Sequence, residues 1–260
     1  MAALSDPKNQ FMKKLMDFGK EKVKEMIPRG DTCNQYVVAC IASEEELEER
    51  YSTIIEDAGK GSPETTDTYY FSKRLVVILN KHHWHGEARL LDPTGRLWET
   101  VTTEKDKKDD REPFEGRYFG GKMRENFPAE VWGTPKLVLF SHYIPCTIPR
   151  HQCARLIEEY VNTTGTEIIL SYERSHGDTD EERAYAILSR NKEYITIILP
   201  WKQDQEAIVE QAESFLERME RGTKRDRKKH KKRKERETEN TTESSQHRQR
   251  NRKRKRKRSK

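Results

Sequence analysis

His85 and Glu87, separated by one glycine, and Pro145-Cys146 with Cys153 further on are the residues whose types and spacing could do chemistry. An imidazole and two thiols form a donor set suited to zinc, which favours tetrahedral nitrogen and thiolate ligation and leaves one position for water in a catalytic site. Both segments are expected where a strand or loop enters a helix, and the positive end of a helix favours thiolate over thiol. Glu87 lies two positions past His85, so the first helical turn carries its carboxylate toward the same water without making it a ligand. A carboxylate placed there can take the water's proton and pass it to a leaving group.

The elements that must position these residues follow from periodicity and punctuation. Residues 7–27 carry Phe11, Leu15, Met16, Phe18 and Val23 at near-helical spacing and stop at Pro28-Arg29-Gly30, which predicts an amphipathic helix. Gln35–Ser43 reads as a buried strand, the acidic run Glu44–Asp57 as an exposed helix, and Gly59–Thr68 as a polar loop. Tyr69–Lys81, with the apolar core LVVIL, reads as a second strand, and a helix opens near Gly86. Leu137–Tyr143 predicts a strand running into Pro145-Cys146. Beyond it come a helix over His151–Val161, a strand over Glu167–Tyr172, a helix over Asp180–Asn191, a strand over Tyr194–Leu199 and a last amphipathic helix over Gln203–Arg221. Strands alternating with helices after two initial strands indicate an α/β fold, a central mixed sheet flanked by helices. Glu104–Glu115 is almost purely charged and reads as an insertion.

HGEARLL followed by SHYIPC and a downstream cysteine resembles the cytidine deaminase-like superfamily, and within it the AID/APOBEC-like group. The resemblance covers roughly residues 7–222 and implies a three-layer α/β deaminase fold, zinc held by His85, Cys146 and Cys153, and Glu87 as the proton shuttle. Where that group carries Ser-Trp-Ser before Pro-Cys, this chain reads His142-Tyr143-Ile144, so Tyr143 takes the aromatic position and is expected to pack against the target base. One departure stands out. Six residues, Thr147–Gln152, separate the cysteines where the family has two, and Pro149 occupies the expected position of the second cysteine. A longer loop can return Cys153 to the metal, but His151 is a rival third ligand and Cys153 could instead be a small core residue. His82, His83 and Trp84 crowd the first motif; Trp84 is a candidate for substrate contact at a pocket mouth, and the histidines also suit a plain surface. Trp132 and Trp201, near strand ends, could stack on a base or simply pack. Cys33 and Cys40 suit no compact zinc knuckle.

Charge divides the chain more sharply than the net +6 suggests. Thr223–Lys260 holds 20 Lys or Arg against 5 Asp or Glu, a balance of +15, which leaves 31 basic and 40 acidic residues, −9, for residues 1–222. The tail has no aliphatic, aromatic or cysteine residue to bury, so it is expected to be a disordered basic segment following a deaminase-like domain over 1–222. Its two dense blocks, Lys224–Arg236 and Arg252–Lys260, suit nuclear or nucleolar import or a phosphate-binding arm, with cytoplasmic residence as the alternative. The same tail could also fold back on the acidic body. The N-terminus lacks a signal-peptide pattern, no window approaches the ~18 apolar residues of a membrane span, and four cysteines are too few for a disulfide framework.

Together these readings predict a zinc-dependent hydrolytic deaminase converting cytosine to uracil in single-stranded DNA or RNA. The alternatives are a free nucleoside or nucleotide deaminase, or a catalytically silent deaminase fold serving as a nuclear interaction protein.

Overall fold

The computed structural model describes residues 6–27, 35–48, 53–59, 61–65, 68–72, 74–80, 85–92, 135–149, 151–199 and 214–215. Asp6 caps the first helix by accepting from the Lys8 amide at 3.0 Å, and Pro7 occupies its first turn, where a missing N–H costs nothing. This α1 (Pro7–Met26) ends beside Pro28, close to the predicted boundary.

A seven-stranded sheet forms the middle layer, in the order β2-β3-β4-β1-β5-β6-β7. Its strands are β1 (Tyr36–Ala42), β2 (Ser62–Thr65), β3 (Thr68–Ser72), β4 (Leu75–Leu79), β5 (Lys136–Tyr143), β6 (Ile168–Arg174) and β7 (Ile195–Ile197). β1 sits centrally, antiparallel to both β4 and β5, and all seven of its residues are buried, as an unbroken apolar run requires. β5, β6 and β7 are parallel neighbours, joined by α5 (Cys153–Thr164) and α6 (Glu181–Leu188).

The two-residue period of the strands sorts the core into two layers. Val38, Cys40, Val77, Val138 and Phe140 face Phe11, Met12, Leu15 and Phe18 of α1. Val37, Ala39, Ile78, Leu137 and Leu139 face α4 (Gly86–Leu91), α5 and α6, through Leu90, Leu156, Ile157, Tyr185 and Leu188. The protein is thus a three-layer α/β fold with helices on both faces of a mixed sheet.

Three local expectations fail. The acidic run does not form one exposed helix but two short ones, α2 (Glu44–Glu48) and α3 (Thr53–Glu56), with Glu46, Leu47 and Ile54 buried. Ser43 and Glu46 form a reciprocal capping box at 2.9 and 3.1 Å, and Glu46 also takes Arg74 at 2.9 Å, so part of the acidic run is tied inward. The polar segment after Gly59 contains the edge strand β2 instead of being wholly loop, because main-chain pairing with β3 needs no apolar side chain. The single strand expected over Tyr69–Lys81 is a hairpin, β3 and β4, broken near Arg74.

Residues 1–212 form one unit and Glu213–Lys260 another, of which only Ser214 and Phe215, both helical, are described. The charged insertion 104–115, the body of the predicted helix over Gln203–Arg221 and the basic tail lie outside the described residues, as do Cys33, His82, His83, Trp84, Trp132 and Trp201.

Candidate metal centre

Two elements bring the predicted ligands together. α4 begins at Gly86, and His85 is its extended N-cap residue, whose side chain makes no capping bond. The Asn80 Oδ1 at the end of β4 accepts the Gly86 amide instead, at 2.7 Å. A Cβ on Gly86 would meet Val37 Cγ2 at 2.7 Å and Asn80 Oδ1 at 3.2 Å, so only glycine lets the helix start this close to β1. Arg89, one turn later, is buried and donates to the Leu79 carbonyl at 2.6 Å and to Thr68 Oγ1 at 3.1 Å, which fixes α4 to the β3–β4 hairpin.

On the other side, β5 delivers Cys146 just past its C-terminal end, and the longer cysteine loop then closes on itself. The amides of His151 and Gln152 both return to the Ile148 carbonyl, at 3.0 and 2.9 Å. Gln152 takes a left-handed conformation (φ 49°), and α5 starts immediately afterwards at Cys153. The Ala154 amide then bonds back to the Cys146 carbonyl at 3.1 Å. The six-residue spacing is absorbed as a turn, and Cys153 arrives beside Cys146.

Both sulfurs lie 3.4 Å from His85 Nδ1, and the three ligand atoms all fall within 4.8 Å of one another. A tetrahedral zinc with bonds of ~2.05 Å to nitrogen and ~2.3 Å to sulfur sets an N···S edge of about 3.6 Å, so the spacing fits the ion. The two cysteines are free thiols, buried side by side. The Cys153 thiol hydrogen-bonds Cys146 and, with His85, holds Cys146 well below the usual thiol range. Cys153 in turn is pushed well above that range by its bond to Cys146 and by burial. Two buried sulfurs this close share a proton unless a cation sits between them; a divalent ion is what allows both to be thiolates. His151 does not join the cluster. Its ring stacks on His85 with centroids 4.0 Å apart and planes 15° from parallel, which orients the imidazole and leaves the third position to Cys153.

Glu87 is fully buried in the first turn of α4. Ser141 Oγ donates to its Oε1 at 2.7 Å, whereas Oε2 is buried with no hydrogen-bond partner. Burial pushes its carboxyl up, Cys146 adds to the shift, and His85 and Ser141 oppose it. An orphaned carboxylate oxygen next to a His/Cys/Cys cluster is the arrangement expected of a group waiting for a water.

Tyr143, at the end of β5, is half-buried and falls on the same face of the strand as Ser141. Its ring is framed by the Arg174 guanidinium at 5.3 Å and by edge-on His176 at 5.3 Å. The other residue predicted to contact substrate, Trp84, is outside the described set.

Sequence reasoning missed Ser141, Asn80 and Gln152. Ser141 had a signal, a lone hydroxyl in the apolar run LVLFS, as did Asn80 directly after LVVIL. Gln152 had none, since its left-handed backbone follows from loop closure. A scan against protein-family profiles and a search of curated proteins gave no match. The geometry by itself shows that His85, Cys146 and Cys153 can hold a metal ion.

Proposed function

We propose that this chain is a zinc-dependent hydrolytic deaminase of the cytidine deaminase-like superfamily, acting on cytosine in single-stranded DNA or RNA. The observation that carries this reading is Glu87, a fully buried carboxylate with one oxygen fixed by Ser141 and the other unpartnered beside a His/Cys/Cys cluster. A scaffold gains nothing from such a group, because burying a carboxylate without full hydrogen bonding costs several kcal/mol, order of magnitude.

The residues that would hold zinc are His85, through Nδ1, and the thiolates of Cys146 and Cys153. When bound, the ion supplies the Lewis acidity that lowers the pKa of water toward ~7. Ser141 fixes Oε1 of Glu87, so Oε2 is the atom that takes the water's proton and passes it to the ring nitrogen of the base. The same carboxylate then takes the remaining proton of the hydroxyl added to the ring and delivers it to the departing amine. Water is consumed, the exocyclic amino group leaves as ammonia, and the ring retains the oxygen as a carbonyl. Tyr143 offers a stacking face, and the basic tail concentrates the protein on phosphate-rich strands by counterion release.

The test is metal analysis of the purified full chain together with deamination assays on cytidine, single-stranded DNA and single-stranded RNA. About one zinc per chain is expected, lost in His85→Ala, Cys146→Ala and Cys153→Ala. Glu87→Gln should keep the zinc and the fold while turnover falls by about 10²–10⁴, the usual contribution of a general acid–base. A wild-type chain without zinc, or a Glu87→Gln variant with full turnover, would overturn the assignment.

A further inference from the structure

We propose that Arg174 is a phosphate receptor beside the metal centre, engaging the phosphate of a nucleotide whose base lies against Tyr143. The nucleotide part of this rests on the nucleobase reading above; the phosphate part does not.

Arg174 ends β6 directly alongside Tyr143 in the parallel register, and its carbonyl accepts the Ile144 amide at 2.8 Å. Cys146 is two residues further on, at most about 7.6 Å from Ile144 along the Cα trace. The side chain is exposed at its outer surface yet held at its base. Its Nε and Nη2 both reach His142 Nε2, at 3.2 and 2.7 Å. A guanidinium can only donate, so His142 accepts at Nε2 and carries its proton on Nδ1, which faces Glu173 Oε2 at 3.1 Å. The other oxygen of Glu173 takes Lys20 of α1 at 2.7 Å.

Glu173, the neighbour of Arg174 on β6, is thus paired with Lys20 and faces the imidazole, and among the described residues no carboxylate pairs with Arg174. What remains is a positive charge held along one edge by a neutral partner, on a residue that is exposed. An ordinary surface arginine is mobile or paired with an acid. A guanidinium oriented by His142 and packed on an aromatic ring fits the planar, two-point recognition of a phosphate, and its fixed orientation removes part of the ordering cost of binding.

The test follows the Arg174 Nε–H resonance of the zinc-loaded full chain during titration with inorganic phosphate, and compares affinities for cytidine and cytidine 5′-monophosphate. Phosphate should shift the resonance, the monophosphate should bind about tenfold or more tighter than the nucleoside, and Arg174→Gln should erase that ratio. Arg174→Lys, which keeps the charge without the fork, should restore part of it. A short single-stranded oligonucleotide with only internal phosphodiesters forms the second arm. Greater sensitivity of the oligonucleotide than of the monophosphate to Arg174→Gln assigns the receptor to a diester, and the reverse assigns it to a monoester. The basic tail is common to wild type and variant, so its contribution cancels when the two are compared on the same ligand. A phosphate-induced shift without base preference or turnover keeps the receptor and removes the nucleobase reading. An unmoved resonance, or a ratio indifferent to Arg174→Gln, overturns the receptor.

Discussion

Ser141 is one hydroxyl on a buried strand, and it holds Oε1 of Glu87 while Oε2 has no hydrogen-bond partner. Replacing it by alanine leaves Oε1 buried without its donor and frees the carboxyl to rotate. Ser141→Ala should therefore lower turnover by about tenfold, the equivalent of one hydrogen bond to a charged group, with zinc content unchanged. Steady-state kinetics alongside metal analysis checks this, and undiminished turnover would show that Oε2 is not set by Ser141. His85, Glu87, Cys146 and Cys153 were legible because metal and proton chemistry restrict residue type and spacing severely. Ser141 was not, because its role depends on a strand register that places it 54 positions from its partner in sequence.

At the scale of elements, the site depends on how α4 and α5 begin. Gly86 sets the approach of α4 to β1, so Gly86→Ala forces a methyl against Val37 and the Asn80 carbonyl oxygen. Overpacking of this kind costs about 1–3 kcal/mol, and the helix shift moves His85 away from the two sulfurs. Urea denaturation should show the loss of stability, and competition with a chelator should show weaker metal retention. Wild-type behaviour in both would mean that the close approach is dispensable. α5 shows the limit of spacing arguments. The interval between the cysteines left His151 and Cys153 as rivals, and the Ile148 turn with the left-handed Gln152 places Cys153 in the cluster and His151 on the face of His85. Conversely, β2 was hidden in a polar segment, because an edge strand is held by main-chain bonds that leave little trace in side-chain pattern.

Across the whole molecule, His142 links three elements: it stacks on Tyr36 of β1, meets Glu173 and Arg174 of β6, and reaches α1 through the Glu173–Lys20 pair. Tyr143, its neighbour on β5, touches the ring edge. Burial holds the His142 pKa below its ordinary value, with Arg174 and Lys20 acting in the same direction and Glu173 against. The folded state therefore binds fewer protons here than the unfolded one. Its contribution is complete above the unfolded histidine value of about 6.5 and is lost as pH falls from there through the lower folded value. Wild type should lose more stability between about pH 7 and pH 5 than His142→Gln, which keeps an acceptor for Arg174 but does not titrate. Parallel denaturation curves for the two proteins over that interval would remove His142 as the source. Metal removal acts on the same global scale. Binding energy of an ion held by the folded state alone adds to stability, so a chelator should lower Tm of wild type but not of Cys146→Ala. Equal Tm values with and without chelator would mean that no structural share of the metal exists.

The sequence by itself determined the layered α/β class, the two halves of the site and the separation of a basic tail from an acidic body, since each rests on local pattern or composition. It determined the chemistry on offer, an imidazole, two thiols and a carboxylate, because residue type alone sets donor softness and proton affinity. Only the tertiary structure decided that Cys153 completes the cluster, that Ser141 holds Glu87, that Asn80 caps α4 in place of His85, and that Arg174 is held on His142. Each of these is a contact between residues brought together by strand order and loop closure, and distance between such residues is fixed by packing of the whole sheet and not by spacing along the chain.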